Sequence, residues 1–184
     1  MKLSLLPNVI CVARMLLVVP ILWALARGEY VLTLWLFALA GFSDALDGFL
    51  ARRYGWRTRL GSLLDPLADK LLLVCVFLAV TLLDLVPTWL TLVVIGRDVV
   101  ILVGALAYAR VVGSLQGEPT AVSKLNTVLQ LVFILAVIAR AAYGWPTDGV
   151  IVALGAGVFV TTIVSGIDYV WTWGRRALRA SHPA

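Results

Sequence analysis

Residues 41–70 read GFSDALDGFLARRYGWRTRLGSLLDPLADK, and the four aspartates in this stretch decide both the architecture and the chemistry. Asp44 and Asp47 are three apart, and Asp65 and Asp69 are four apart, so on helices each pair lies on one face. The residues between the pairs, 53–60, include three arginines and one glycine and break the apolar pattern. Outside the stretch the chain is overwhelmingly apolar. Of its 184 residues 62% are hydrophobic and 14% charged, and the mean hydropathy is +1.01, too apolar for a soluble domain of this length.

Apolar windows near 8–26, 31–51, 61–83, 88–109, 122–141 and 149–170 predict six spanning helices, separated by clusters of Arg, Gly, Pro or Asp. The expected fold is therefore all-α, an integral membrane bundle of six transmembrane helices, with residues 1–184 forming a single domain. Arg14 interrupts the first apolar run and no small-residue cleavage site follows, so this run reads as a helix rather than a signal peptide. With six spans, ten Lys and Arg residues fall on the side of the termini and only Arg27 and Arg140 on the other. Both termini are expected to be cytoplasmic. Trp23, Trp89 and Trp145 are expected at the outer interface and Trp171 and Trp173 at the inner one. The net charge of +5 belongs to these loops and to anionic lipid, not to nucleic acid. Cys11 and Cys75 lie in apolar stretches and read as packing residues.

Carboxylates within spanning helices are costly, by about 2.5–3.5 kcal/mol each on insertion scales, and are functional candidates for that reason. The short basic connection makes helices two and three antiparallel and places Asp44, Asp47, Asp65 and Asp69 at similar depth near the cytoplasmic surface. Four negative charges in a poor dielectric require cations or raised pKa values. An all-oxygen donor set favours hard ions, and two divalent cations, Mg²⁺ or Mn²⁺, about 4 Å apart would clamp a diphosphate for in-line displacement at phosphorus. Gly48, Ala51 and Gly61 leave room for close approach of a ligand to the backbone, and Arg52 supplies a fork of donors for phosphate oxygens.

Written out, 44–69 is D-x2-D-G-x2-A-R-x8-G-x3-D-x3-D. At all eight positions this resembles the signature of the CDP-alcohol phosphotransferase (phosphatidyltransferase) family, and the resemblance extends through six helices over nearly the whole chain. It implies attack of an alcohol on the β-phosphorus of a CDP-linked lipid, with CMP leaving. Carried over by position, Asp44, Asp47, Asp65 and Asp69 would be metal ligands, Asp69 would also be the general base, and Gly48, Ala51, Arg52 and Gly61 would form the CMP pocket. Pro7, Asn8 and Arg14 resemble the family's opening, with Cys11 in place of the usual Thr. Asn8 either reaches the CDP-lipid or caps its helix, and Arg14 either binds substrate or snorkels.

Arg97 is expected to point inward and bind the acceptor's phosphate, with a structural ion pair as the alternative; its neighbour Asp98 faces another direction on a helix. Lys124 is either a second substrate contact or a positive-inside residue. Asp168 reads as structural. Arg97-Asp98 and the run Pro119-Thr120, Ser123 to Thr127 and Gln130 resemble the CMP-forming cardiolipin synthases of the family, whose acceptor is phosphatidylglycerol. Phosphatidylglycerophosphate synthases, which use glycerol 3-phosphate, typically show Arg-Glu in the fourth helix and a second Lys at the position of Asn126. One basic residue fewer suits a monoanionic diester acceptor. The expected partners are CDP-diacylglycerol, phosphatidylglycerol, membrane lipids and, by resemblance, a second copy in a homodimer. The expected location is a bacterial plasma membrane, with the active site facing the cytoplasm. A transporter would instead spread its carboxylates through the membrane depth or break helices at the midplane.

Overall fold

The computed structural model describes the backbone of residues 6–54, 61–112 and 121–180, and side chains over 15–43, 70–104 and 121–171. Among these residues there are six helices and no strand: α1 (Leu6–Ala26), α2 (Tyr30–Tyr54), α3 (Gly61–Leu82), α4 (Thr88–Val112), α5 (Ala121–Tyr143) and α6 (Asp148–Ala180). They follow the six apolar windows, the main difference being α6. This helix runs through Arg175, Arg176 and Arg179 to Ala180, because the basic tail contains neither Pro nor a breaking Gly cluster. The sequence, with Gly113, Gly117 and Pro119, leads one to expect an irregular connection over 111–121; Val111 and Val112 belong to α4 and Ala121 to α5, and 113–120 lie outside the described residues.

The helices group into two compact units. The first comprises Met1–Val86 and Ile134–Asp148, and the second Pro87–Phe133 and Gly149–Ala184, so that α5 contributes one end to each. In the first unit α1 packs against both α2 and α3. Ile21, Leu25, Phe37, Val76, Phe77, Val80, Ile134 and Ile138 are fully or almost fully buried there. Their recurrence at three- and four-residue steps is the helical stripe that joins one helix to the next.

Sharp helix ends make the alternation of direction possible. After α1, Gly28 takes φ +72°, its N–H donates to Leu25 (3.0 Å), and the Glu29 N–H donates to Ala24 (2.9 Å), which satisfies two carbonyls of the last turn. Arg27 then folds over the Trp23 ring, 4.0 Å from its centroid. The same pattern closes α3, with Asp84 at φ 56° and the Leu85 N–H bonded to Val80 at 2.9 Å. Arg140, near the end of α5, pairs with Asp148 at the start of α6 at 2.5 Å. The anion at the helix N-terminus complements its dipole.

In the second unit Leu90, Val94 and Arg97 of α4, Asn126, Gln130 and Phe133 of α5, and Gly155, Val158, Thr162 and Ser165 of α6 form the interior. Close contacts set the register. Gly155 takes Phe133 and Leu90 against its backbone, Gly166 takes the stem of Arg97, and Gly104 takes the ring of Tyr169. One end of the unit is consequently apolar and the next turns are polar. The surfaces of both units reverse the soluble pattern. Leu82, Val152 and Val19 are 84%, 70% and 68% exposed, as in a chain whose solvent is lipid. Among the described residues, Ala121–Tyr143 and Asp148–Trp171 are long and apolar enough to cross a membrane.

Candidate active site

The eight signature residues fall on two helices of the first unit. Asp44, Asp47, Gly48, Ala51 and Arg52 occupy the C-terminal half of α2, and Gly61, Asp65 and Asp69 the N-terminal half of α3, with residues 55–60 between the helices. At 1.5 Å per residue Asp44 and Asp47 lie about 10–15 Å before the end of α2, and Asp65 and Asp69 about 6–12 Å after the start of α3.

The tight turn at Arg27 to Glu29 folds α1 back along α2, and counting equal numbers of helical residues from that turn puts Asn8 level with Gly48 and Arg14 level with Phe42. The opening motif lies in the same unit as the signature. The side chains of Asn8, Arg14, Arg52 and the four aspartates are outside the described residues, and so is the convergence of the carboxylates expected from their spacing.

Arg97 and Lys124 belong to the second unit. Lys124 is exposed at the start of α5. Arg97 is 7% exposed and points inward, as expected. Its neighbour Asp98 is a direct partner all the same: Nη1 donates to Oδ1 at 2.7 Å. Successive helical residues diverge by about 100°, but the long arginine stem lets the guanidinium return across that angle. The pair is only part of the arrangement. Nη2 donates to the Ser123 hydroxyl at 2.6 Å and to the Ser165 hydroxyl, joining α4 to α5 and α6, while Nε is buried without a partner among the described residues. A charge this buried needs its carboxylate and its hydroxyls, and their geometry fixes the guanidinium plane.

One helical turn from Ser123, the Asn126 carbonyl oxygen accepts from Thr162 (3.0 Å) and from Thr161 (2.8 Å), and Thr161 also approaches the Gly157 carbonyl at 2.8 Å. Asn126 Nδ2 and Gln130 Nε2 are buried with no partner among the described residues. The partners on α6, Thr161, Thr162 and Ser165, are not singled out by sequence reasoning. A hydroxyl in an apolar helix commonly bonds its own backbone, and only the opposing spacing of 123, 126 and 130 marks these three.

Comparison with known proteins adds to this geometry. The profile of the CDP-alcohol phosphatidyltransferase family matches residues 4–170, nearly the whole chain and all six helices. The chain belongs to the CDP-alcohol phosphatidyltransferase family. Relatives within it carry two kinds of name. The cardiolipin synthase (CMP-forming) of Homo sapiens is 32% identical over 94% of this chain and 62% of its own length. The chloroplastic CDP-diacylglycerol–glycerol-3-phosphate 3-phosphatidyltransferase 1 of Oryza sativa subsp. japonica is 35% identical over 89% of this chain and 55% of its own length. A probable phosphatidylglycerophosphate synthase of Mycobacterium tuberculosis is 32% identical over 95% of this chain and 82% of its own length. The chain thus spans about three-fifths of the human relative, and the phosphatidyltransferase signature lies within the matched segment.

Proposed function

We propose that this phosphatidyltransferase transfers a phosphatidyl group from CDP-diacylglycerol to phosphatidylglycerol, giving cardiolipin and CMP, within a membrane that all six helices cross. The observation that carries the reading is the complete eight-position signature on the halves of α2 and α3 that adjoin their short connection, in a chain of this family.

Asp44, Asp47, Asp65 and Asp69 supply an all-oxygen, multiply anionic donor set, which fits Mg²⁺ or Mn²⁺. Two such ions, when bound, would neutralise the diphosphate and stabilise charge at the displaced oxygen. The residues of the chain do the rest. Arg52 would hold phosphate oxygens, and Gly48, Ala51 and Gly61 would admit the CMP moiety against the backbone. Asp69 would accept the proton of the acceptor hydroxyl as its oxygen bonds to the β-phosphorus. The bond from that phosphorus to the bridging oxygen breaks, and CMP carries the electron pair away.

The preference for phosphatidylglycerol is supported by charge in the second unit. Its buried cation, Arg97, is already matched by Asp98, and Asn126 stands neutral and buried between threonines. This arrangement suits a monoanionic phosphodiester better than a nearly dianionic monoester. Glycerol 3-phosphate is the second reading, favoured by the names of the rice and mycobacterial relatives. Purified protein given CDP-diacylglycerol, Mg²⁺ and each acceptor in turn distinguishes them. Cardiolipin from phosphatidylglycerol is the expected product, and turnover with glycerol 3-phosphate alone would overturn the choice.

A further inference from the structure

The helix α6 is 33 residues long, about 50 Å, whereas the hydrocarbon core of a bilayer is about 30 Å thick. Its apolar stretch, Asp148–Trp171, is by itself long enough to cross. The remainder, Thr172 to Ala180, continues the same helix past that stretch. Ile167, Val170 and Trp171, just before the extension, are exposed apolar residues, as on a flank that meets lipid. Two further observations bear on the extension. Arg175, Arg176 and Arg179 lie within it, and no Asp or Glu follows Asp168 in the sequence. At about 100° and 1.5 Å per residue, the three arginine positions fall within one arc of about 100°, some 6–12 Å beyond Trp171.

A headgroup layer is about 5–8 Å deep on each side of a bilayer, and charges act across a Debye length of about 8 Å at physiological salt. The extension therefore carries its cations at the depth of lipid phosphates. α4 accompanies α6 to this end, since Leu90 meets Gly155 and Gly104 meets Tyr169, and the last turn of α4 adds Arg110. Resting on the reading that α6 crosses a membrane, we infer that the extension is a docking arm for anionic phospholipid headgroups in the leaflet where α6 emerges. A soluble acidic partner is the weaker match. A helix continuous with its own span keeps the arginines beside phosphates at all times, with no association step to complete. Arginine also suits phosphate oxygens better than a point charge does, because its donors form a fork. Such an arm gathers the class of lipid that the proposed reaction consumes. It belongs to the second unit alone.

The test places the full chain in nanodiscs of equimolar phosphatidylglycerol and phosphatidylcholine, without CDP-diacylglycerol, doped with either lipid carrying a diazirine on its acyl chain next to the headgroup. After illumination, labelling is quantified by mass spectrometry in residues 165–180 and, as the internal reference, in residues 148–164. Phosphatidylglycerol is expected to label 165–180 at least about fivefold more than phosphatidylcholine does, the scale of one surface cation, with a ratio near one in 148–164. In the variant Arg175→Gln/Arg176→Gln/Arg179→Gln the ratio at 165–180 falls towards one. It falls likewise when salt rises from about 0.1 M to about 1 M, which shortens the Debye length from about 10 Å to about 3 Å. Glutamine forms helix about as well as arginine, so the arm persists in this variant, and lysine at the same three positions should keep most of the preference. A wild-type ratio near one, or a ratio that survives the three glutamines, overturns the inference and leaves the arginines to complement the dipole of α6 alone. A chain that does not enter phosphatidylcholine nanodiscs, or that alkaline carbonate strips from membranes, would instead overturn the spanning reading and the inference with it.

Discussion

The Arg97 guanidinium on α4 donates to the Ser123 hydroxyl on α5 at 2.6 Å, so a cation and a hydroxyl from separate helices share one buried node. The same nitrogen meets Ser165 of α6, and the neighbouring nitrogen meets Asp98. Three helices of the second unit are therefore tied by a single side chain. This explains how an arginine that belongs to no apolar stripe is retained in the interior.

Removing that side chain leaves a carboxylate in a poor dielectric. Arg97→Gln is expected to destabilise the protein by about 3 kcal/mol, within the range for breaking a buried pair. Arg97→Gln with Asp98→Asn is expected to be less destabilised than the sum of the two single variants, because each single change breaks the same direct ion pair. Thermal unfolding in detergent of the four proteins checks this; strictly additive losses would show that the pair is not coupled.

The four aspartates should act as one metal-dependent unit. Asp69→Asn is expected to lower CMP release by at least about 100-fold, the scale of a general base. Asp44→Asn or Asp65→Asn should also raise the Mg²⁺ concentration needed for half-maximal rate. Chelation by EDTA should abolish turnover and Mg²⁺ or Mn²⁺ restore it. Unchanged CMP release in Asp69→Asn would remove the proton-acceptor assignment.

Gly104 is a packing position rather than a loose point in α4. A β-carbon there would stand 2.9 Å from Tyr169 Cε1, closer than carbon atoms approach. Gly104→Ala should therefore cost about 1–3 kcal/mol through overpacking. Adding Tyr169→Leu should recover part of the loss, which a melting-temperature comparison of the single and double variants detects.

Gly28 and Gly96 should respond oppositely to alanine. Both have open space around the position of a β-carbon, yet Gly28 sits at φ +72° and Gly96 lies within α4. Gly28→Ala is expected to lower stability by about 1 kcal/mol, and Gly96→Ala to leave it equal or slightly higher. Equal losses at both sites would mean that side-chain space, not backbone conformation, governs them.

Much of the fold was legible because long apolar windows punctuated by Gly, Pro and charge are strong one-dimensional signals. The starts and ends of α1 to α5 fall within a few residues of the windows. The basic tail of α6 was harder to bound, since arginine continues a helix as readily as it ends a span. The signature was equally legible: residues at three- and four-residue spacing reveal their common face without any tertiary information.

By itself, then, the linear order of residues determined the helix count, the family and the positions of Asp44, Asp47, Asp65 and Asp69 on α2 and α3, because periodicity and spacing are local properties. Tertiary structure alone decided that Arg97 bonds Asp98 and also joins Ser123 to Ser165, and that the Asn126 carbonyl oxygen is gripped by Thr161 and Thr162 while its amide nitrogen is buried with no partner among the described residues. Those partners are separated by 26 to 68 residues, apart from the adjacent Asp98. Which hydroxyl meets which amide depends on the rotation and register of packed helices, and these are set by the close fit of Phe133, Leu90 and Tyr169 against glycine backbone.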